Sequence, residues 1–351
     1  MVGRGAEGFM NTIMIESLNE ALTGFRLDAK CINARKHRHF GFYDLHLGPK
    51  CQVSKIVKMS SEIALKIRSK SVPIVKSIPE EGIVRLQVVT SNPEPIMLRD
   101  LYKNASKPRG FLPFLFGETD DGELLWTDIS QNPHMLVAGS TGSGKSVFLH
   151  NLIANAARTP NTVLMLSDPK SVEFAAYRNP ELKSFVPVIA NSYDSTIKML
   201  EGLVKEMDAR YANLLRLGLQ SIEQMRSPFD KIVVIIDEVA DLILSDGRTH
   251  RFEELVVKLA QKSRAAGIYL VLATQRPSVD VLTGLIKANF EARLSCRVSS
   301  RVDSGVILDH PGAEHLMGRG DAIFKNRQYD SVRLQVAFVK PEETVRYLVT
   351  R

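Results

Sequence analysis

The sequence predicts an α/β protein in which a mostly parallel sheet covered by helices is preceded by a small α+β domain. Three observations predict this class. Residues 139–146 read GSTGSGKS, a complete G-x-x-x-x-G-K-S phosphate loop between a short apolar segment and an amphipathic one. From Ile96 onward, strand-like and helix-like segments alternate, which is typical of parallel sheets with helices on both faces. Residues 90–95 are rich in proline and asparagine, so we predict one domain at 1–95 and another at 96–351.

The individual elements are predicted from hydrophobic spacing and turn residues. In the first domain we predict helices at 10–22 and 53–69 and strands at 40–47, 72–77 and 83–89. In the second domain we predict strands at 135–138, 162–167, 231–236, 268–273, 293–298 and 333–339. The helices predicted there are 145–157, 194–217 and 252–266, each with an apolar stripe that a sheet can bury.

The composition is that of an ordinary globular chain. Hydrophobic residues make up 44% and charged residues 24% of the 351 positions, as in soluble proteins of one large or two modest domains. No apolar run approaches the ~20 residues of a membrane helix, and the N-terminus lacks the apolar core of a signal peptide, so we expect a cytoplasmic protein. The three cysteines are widely spaced, which fits a reducing compartment and gives no metal-ligand pattern.

The net charge of +7 is concentrated near the N-terminus. Residues 1–110 carry 18 Lys and Arg against 10 Asp and Glu, whereas residues 111–351 carry 28 against 29. A basic first third is compatible with a polyanionic partner. A solvated basic face explains the same charge at least as well, so charge alone identifies no partner.

The phosphate loop predicts ATP and Mg²⁺ as cofactors. Its glycines allow successive backbone N–H groups to turn toward a triphosphate, and the following helix adds its positive N-terminal end. Lys145 is expected to reach the β- and γ-phosphates, and the Ser146 hydroxyl to ligate Mg²⁺. The residues predicted to bind the nucleotide are Gly139, Ser140, Thr141, Gly142, Ser143, Gly144, Lys145, Ser146 and Val147.

Two carboxylates follow the strongest strand of the sequence. Residues 232–236 are all aliphatic, as in a central strand buried on both faces, and Asp237 and Glu238 come next. Such strands end at the sheet edge where ligands bind. Asp237 is therefore expected near the Mg²⁺, and Glu238 is expected to orient and activate the attacking water. A carboxylate pair that merely caps a loop is the alternative, and the phosphate loop upstream argues against it.

Gln275 follows the next predicted strand. A polar side chain at the tip of a neighbouring strand is well placed to hydrogen-bond a γ-phosphate or its water, so we predict a sensing role for Gln275. Capping of a turn is the alternative interpretation.

Several segments together resemble the FtsK/SpoIIIE family of hexameric double-stranded DNA translocases. They are the phosphate loop, 232–242 (IVVIIDEVADL), 259–267 (LAQKSRAAG), 270–289 (LVLATQRPSVDVLTGLIKAN), 298–300 (VSS), 312–321 (GAEHLMGRGD) and Gly48-Pro49. The block 270–289 is much more specific than a phosphate loop. The resemblance covers roughly residues 40–350 and implies an α domain at 1–95 and a RecA-like β motor domain at 96–351.

The resemblance implies a ring of six subunits with duplex DNA through its centre and ATP bound between neighbours. Asp168-Pro169-Lys170 matches the family's first pore-facing segment, and 276–289 matches the second. Lys170, Arg276 and Lys287 are therefore the candidates for contacts with the DNA backbone. Solvated loop charges are the alternative for these residues.

Two arginines match positions at which the family supplies a cation to the ATP site. Arg264 matches the residue inserted into the neighbour's site, and Arg301 stands where the family commonly has lysine. An arginine supplied in this way offsets charge on the γ-phosphoryl group and is worth about 10³–10⁵ in rate in related phosphohydrolases. The alternative for both is a charge on a helix surface.

The chain also departs from the family pattern. We find no segment that could serve as a membrane anchor, and no winged-helix γ domain after Arg351, so sequence-directed loading is not expected. The basic run RKHRH at 35–39 lies where the family has a shorter turn. It is either an additional DNA contact or a solvated loop.

The function predicted from these features is an ATP-hydrolysing motor that moves along duplex DNA without sequence preference. Phosphate contacts supply affinity but carry no sequence information, as such movement requires. One alternative is an FtsK-like ATPase that drives protein secretion, although those usually carry tandem motor domains. A second alternative is a nucleotide-switched DNA-binding scaffold, against which the intact Asp237, Glu238 and Arg264 argue.

Overall fold

The computed structural model describes residues 15–37, 40–69, 72–89, 95–225 and 229–350. The chain divides into two compact units. One consists of Met1–Glu94 with Asp120–Gly122, and the other of Pro95–Thr119 with Glu123–Arg351. The predicted class is confirmed, because a large, mostly parallel sheet with helices is preceded by a small domain built on an antiparallel sheet.

The first unit is a four-stranded antiparallel sheet with three helices. Its strands are β1 (Ala29–His37), β2 (Phe40–Leu47), β3 (Ile74–Ile78) and β4 (Ile83–Val89), in the order β1-β2-β4-β3. Its helices are α1 (15–24), α2 (Val53–Lys58) and α3 (Ser60–Lys66). Leu18, Ile56 and Ile63 of the helices pack with Leu45 and Leu86 of the sheet in one buried cluster.

Two expectations for this unit need correction. The single helix predicted at 53–69 is two helices, because the Ser60 hydroxyl donates to the Val57 carbonyl at 2.8 Å and competes with the backbone ladder. The first three residues of the basic run 35–39 belong to β1, where the Arg35 guanidinium lies 4.9 Å from the ring centre of Phe42. Residues 38 and 39, like residues 10–14 of the first predicted helix, lie outside the described residues.

The second unit is built on a ten-stranded sheet. In chain order its strands are β5 (Pro113–Thr119), β6 (Leu124–Asp128), β7 (His134–Ala138), β8 (Thr162–Ser167), β9 (Val188–Ala190), β10 (Lys231–Ile236), β11 (Ile268–Thr274), β12 (Ala292–Cys296), β13 (Asp321–Lys325) and β14 (Val332–Val336). The order across the sheet is β6-β5-β14-β13-β12-β7-β11-β10-β8-β9. From β12 to β9 neighbouring strands are parallel, and from β6 to β12 they are antiparallel. Hydrophobic spacing found six of these strands and missed β5, β6, β9 and β13.

Eight α-helices are described in the second unit. They are α4 (Leu98–Asn104), α5 (Lys145–Ala157), α6 (Tyr193–Leu217), α7 (Val239–Asp246), α8 (Arg251–Lys262), α9 (Gly284–Asn289), α10 (Arg301–Leu308) and α11 (Pro341–Val349). Among the described helices, none combines the length and apolarity that crossing a bilayer requires.

Local chemistry sets the ends of the longer helices. Ser192 caps α6: its hydroxyl accepts from the Ser195 N–H at 3.2 Å, and the Ser195 hydroxyl accepts from the Ser192 N–H at 2.9 Å. Gly218 ends the same helix with a φ of 66°. Helix α8 ends at Lys262, earlier than predicted, because the Ser263 hydroxyl turns to the Ile268 carbonyl at 2.7 Å.

The topology brings three predicted site segments to one edge of the sheet. Strands β7, β11 and β10 are parallel neighbours and are buried along their whole length. Their carboxyl ends therefore lie side by side. The phosphate loop follows β7, Asp237 and Glu238 follow β10, and Gln275 follows β11. We call this side of the sheet the carboxyl edge, and the side where the parallel strands begin the amino edge.

Candidate functional site

The phosphate loop lies between β7 and α5 at the carboxyl edge. Gly142 and Gly144 have φ angles of 74° and 111°, in the left-handed region that favours glycine. A Cβ at Gly144 would overlap the backbone of Gly320. The loop therefore needs glycine here both for its conformation and for the close approach of a second segment.

The loop is held in place from two sides. The Ser140 N–H and hydroxyl both donate to the Arg297 carbonyl, at 2.9 and 3.0 Å. On the other side the Gly320 N–H donates to the Ser143 carbonyl at 2.9 Å. Arg297 follows β12 and Gly320 precedes β13, so the antiparallel part of the sheet helps to fix the loop. Sequence reasoning missed both contacts, because nothing local to either segment indicates them.

Lys145 and Asp237 form a buried ion pair. The ammonium group, only 4% exposed, contacts the carboxylate of Asp237 and donates to its carbonyl at 3.0 Å. Burial raises the pKa of Asp237 while Lys145 opposes the rise, and the nearby carboxylates of Glu173 and Glu238 add to it. Lys145 thus lies beside the phosphate loop with its charge neutralised by Asp237.

Glu238 and Gln275 lie next to each other beside the loop. The Glu238 side chain is 2% exposed and accepts from the Thr274 hydroxyl at 2.7 Å and from the Gln275 N–H at 3.1 Å. The Thr141 hydroxyl donates to Oε1 of Gln275 at 3.1 Å. The structure therefore brings Glu238, Gln275 and the phosphate loop together, with the carboxylate oriented by fixed donors.

One carboxylate contacts Ser146, and a second lies nearby. The Ser146 hydroxyl donates to Oε2 of Glu173 at 2.7 Å, and Asp237 supplies the second carboxylate. Among the described residues there is no group of three or more His, Cys, Asp or Glu that could hold a metal by itself. Mg²⁺ usually takes one or two protein oxygens together with substrate phosphates, so these residues fit a metal that arrives with the nucleotide.

Glu173 is a residue of this site that sequence reasoning missed. Burial raises its pKa, but hydrogen bonds from His150 and Ser146, with the charge of Lys145, hold the pKa below its ordinary value. It follows β8, which is the neighbour of β10 at the carboxyl edge. The rule that ligands bind beyond the carboxyl ends of parallel strands is the signal that could have pointed to Glu173.

Arg264 lies at the amino edge. It precedes β11, it is exposed, and its guanidinium donates to Oε1 of Gln131 at 3.1 Å. Since β11 spans seven residues at about 3.3 Å each, the two edges are roughly 20 Å apart. An arginine side chain cannot cover that distance. Arg264 therefore does not reach the Lys145 of its own chain.

The surroundings of Arg264 form a shallow cavity of about 250 Å³. Asn132, His134 and Gln261 are among its lining residues. Burial lowers the pKa of His134 to about 3, so this imidazole is neutral and adds no positive charge to that of Arg264.

Arg301 lies at the opposite edge from Arg264. It is the first residue of α10 and follows β12, which is parallel to β7. Its position is thus on the same side of the sheet as the phosphate loop of its own chain. Of the two arginines in the family pattern, Arg301 therefore lies at the same edge as the phosphate loop of its own chain, whereas Arg264 lies at the other edge.

The three candidate DNA contacts differ in solvent exposure and in ion pairing. Lys170 is 51% exposed and lies 3.2 Å from Asp241. Lys287 is 25% exposed and pairs with Asp309 at 2.8 Å. Arg276 is exposed, and within the described ranges it forms no ion pair. Of the three, Arg276 is the most available for a new anionic partner.

Two curated proteins of similar sequence carry the same name. The chain is 37% identical over 346 residues to the DNA translocase FtsK of Chlamydia muridarum, covering 92% of this chain and 43% of that protein. It is also 37% identical over 363 residues to the DNA translocase FtsK of Streptomyces coelicolor, covering 96% and 39%. The chain thus spans less than half the length of these relatives.

Solved structures share the fold at lower identity. The pCW3 conjugation coupling protein TcpA, in a monomer form with ATPγS, matches with a TM-score of 0.67 and 21% identity, over 95% of this chain and 99% of that one. The cytoplasmic domain of the type VII secretion ATPase EccC of Thermomonospora curvata matches with a TM-score of 0.62 and 24% identity, over 74% and 34%. Both likenesses concern the fold alone.

Family models match both units. The model of the FtsK alpha domain matches residues 10–89, and that of the FtsK/SpoIIIE family matches residues 98–231 and 224–279. The predicted resemblance is confirmed. Together with the intact phosphate loop and the RecA-like sheet, these matches show that the chain belongs to the FtsK/SpoIIIE family.

Proposed function

We propose that this chain is an ATP-driven motor that moves along duplex DNA as a ring of six subunits, with Mg²⁺ and ATP bound where neighbours meet. The observation that carries the proposal is the division of the site. The groups that we propose to bind and hydrolyse ATP lie around Lys145 at the carboxyl edge, whereas Arg264 lies about 20 Å away at the amino edge. A second subunit is needed to bring the two together. The name of the curated relatives, DNA translocase, supports DNA as the track.

Each residue of the carboxyl edge has a proposed role in binding ATP. The N–H groups of the loop from Gly139 to Val147 surround the phosphates, and Lys145 exchanges its contact with Asp237 for the β- and γ-phosphates. Ser146 and Asp237 hold Mg²⁺, which when bound neutralises charge on the phosphate oxygens.

The proposed hydrolytic step uses Glu238 to hold the attacking water. Its carboxylate accepts hydrogen bonds from the Thr274 hydroxyl and the Gln275 N–H, and a carboxylate has further lone pairs that can accept a proton from water. The Gln275 side chain accepts a hydrogen bond from the Thr141 hydroxyl of the phosphate loop. We propose that it senses whether a γ-phosphate is bound. Arg264 and Arg301 are the proposed cations that offset the charge on the transferring group.

We propose that movement along DNA is coupled to the contact between subunits at the bound nucleotide. ATP closes the boundary between two subunits, and hydrolysis releases it, so that Lys170, Arg276 and Lys287 shift along the DNA backbone. Contacts with phosphates carry no sequence information, which allows movement on any duplex. A cytoplasmic location, where ATP and chromosomal DNA are both present, is part of this proposal.

The test measures ATP turnover with and without linear duplex DNA, together with displacement of a triplex-forming strand from a duplex. The motor requires strong stimulation of turnover by DNA and ATP-dependent displacement. Turnover that ignores DNA would favour the polypeptide cargo of a secretion ATPase. DNA binding with no turnover would favour a scaffold that uses nucleotide only as a switch.

A further inference from the structure

A chain of hydrogen bonds runs from the protein core to the phosphate loop. The Tyr177 hydroxyl, almost fully buried, lies 3.1 Å from Nδ1 of His150. Nε2 of His150 lies 3.0 Å from Oε1 of Glu173, and the Ser146 hydroxyl donates to Oε2 of Glu173 at 2.7 Å. One oxygen of the Glu173 carboxylate thus contacts His150, and the other accepts a hydrogen bond from the Ser146 hydroxyl.

The backbone around Glu173 is fixed on both sides. The Phe174 N–H donates to the fully buried carboxylate of Asp168 at 3.0 Å, and the Ser171 N–H donates to the Asp168 carbonyl at 2.9 Å. The Phe174 ring is buried and meets the His150 ring edge-on, with centroids 6.4 Å apart. Glu173 is therefore placed by the fold and does not swing freely at the surface.

The direction of the Ser146 proton follows from this placement. A hydroxyl has one proton and two lone pairs, whereas an ionised carboxylate only accepts. In the contact with Glu173 the hydroxyl must therefore donate, which turns its lone pairs away from the carboxylate. A metal ion needs one of those lone pairs.

We propose that Glu173 is a positioning residue for Mg²⁺, which orients the Ser146 hydroxyl so that a lone pair faces the metal, and that His150 and Tyr177 hold Glu173 for this purpose. The proposal rests on the proposed function, because it requires a nucleotide-borne Mg²⁺ at Ser146. Outer partners of this kind are worth about 10- to 100-fold in metal affinity.

The test compares Glu173→Met, which keeps the length of the side chain but removes the acceptor, with Glu173→Gln, which keeps an acceptor oxygen. The full chain is titrated with Mg²⁺ in the presence of a fluorescent non-hydrolysable ATP analogue, and analogue binding is also measured in EDTA. For Glu173→Met we expect the Mg²⁺ concentration at half-saturation to rise about 10- to 100-fold, with unchanged binding in EDTA. Glu173→Gln should restore most of the loss, and Glu181→Met, an exposed glutamate in the following turn, should match the wild type.

A second variant keeps the test independent of one substitution. His150→Phe retains a ring against Phe174 but removes the nitrogen that holds Glu173, so it should raise the Mg²⁺ requirement in the same direction and by less. A lower thermal stability of either variant with an unchanged Mg²⁺ titration would overturn the proposal, because it would show a purely structural role.

The outcomes separate this proposal from the proposed function. If the wild type depends on Mg²⁺ and Glu173→Met depends on it equally, only the role of Glu173 is wrong. If the wild type binds the analogue equally well with and without Mg²⁺, the metal role of Ser146 fails and the inference fails with it.

Discussion

The buried charges around the phosphate loop and the exposed Arg264 lie at opposite edges of the large sheet and in opposite environments. At the carboxyl edge Lys145, Asp237 and Glu238 are buried, and each is neutralised or hydrogen-bonded by a neighbour. At the amino edge Arg264 is exposed and has the neutral side chain of Gln131 as its hydrogen-bonding partner. The groups around the phosphate loop are therefore preorganised, whereas Arg264 is accessible to solvent.

The difference shows how one chain can carry two halves of one site. A buried ionic group must be paired, since an unpaired charge in a low-dielectric interior is very costly. An arginine exposed to water has no such desolvation cost, so it is stable without a counter-ion. A head-to-tail contact that joins the amino edge of one copy to the carboxyl edge of the next would complete the site, and its repetition would close a ring if the rotation between neighbours closes.

Removing the buried cation should give the largest effect. Lys145→Ala deletes the group that reaches the phosphates and leaves Asp237 without its counter-ion. We expect ATP turnover to fall to the level without enzyme and DNA displacement to disappear, as measured by phosphate release and triplex displacement. Lys198→Ala, an exposed lysine on α6, is the matched control and should keep both activities. Hydrolysis that survives in Lys145→Ala would show that the site is assigned to the wrong residues.

Removing the exposed cation tests whether the edges act across subunits. Arg264→Ala should lower turnover by about 10³–10⁵ while nucleotide binding stays intact, because the arginine acts on charge that develops during hydrolysis. Mixing this variant with Lys145→Ala should restore activity, since roughly one random head-to-tail interface in four then joins an intact site to an intact arginine. Turnover by the mixture that equals the sum of its two inactive components would show that Arg264 does not act in a neighbour's site.

The sequence predicted those parts of the site that local patterns encode. Helix α5 has its predicted bounds, because the phosphate loop and an apolar stripe define them. The order β7-β11-β10 at the centre was not predicted, but its consequence, polar residues gathered at one edge, follows from any parallel arrangement. The roles of Glu238, Gln275, Arg264 and Arg301 stay predictions.

Long-range contacts set what the sequence could not show. Strand β5 has seven residues, as many as the predicted β11, but one of its edges pairs with β14, more than 200 residues further along the chain. The contact of Gly320 with Ser143 exists because β13 and β14 place a turn against the phosphate loop. The position of Glu173 likewise depends on the buried carboxylate of Asp168 and on the pairing of β8 with β10.

A buried ion pair follows the turn that contains Gly320. It allows a test of whether this turn supports the phosphate loop. The Arg333 guanidinium donates to both oxygens of Asp321 at 2.8 and 2.7 Å, and Asp321 also accepts the Met317 N–H. Arg333→Ala leaves a buried carboxylate uncompensated, which should lower the free energy of unfolding by about 3–5 kcal/mol.

Urea denaturation followed by fluorescence measures this change, because the chain's single tryptophan, Trp126, lies in β6 of the same sheet. Arg346→Ala, at an exposed position of α11, should change stability by less than about 0.5 kcal/mol. Equal stabilities of the two variants would mean that the pair does not support the turn.

The smallest effects should come from the proposed DNA contacts, and they should differ from one another. Each phosphate contact contributes about 0.9 to the slope of log affinity against log salt concentration. Arg276→Ala should remove about that much, since Arg276 is exposed and unpaired among the described residues. Lys287→Ala should remove less, because the ammonium group is already paired with Asp309 at 2.8 Å.

Asp309→Asn tests whether Lys287 binds DNA although it is paired in the free protein. Asparagine tolerates the φ of 65° at this position, and the substitution removes the negative charge that Lys287 shares with Arg293 and Lys325. DNA affinity measured at several salt concentrations should rise in Asp309→Asn, and the part of the gain that Lys287→Ala removes is the contribution of Lys287. The double variant of Arg276 and Lys287 should weaken the stimulation of turnover by DNA without changing nucleotide binding. If the salt slopes of all these variants equal that of the wild type, the DNA contacts lie elsewhere.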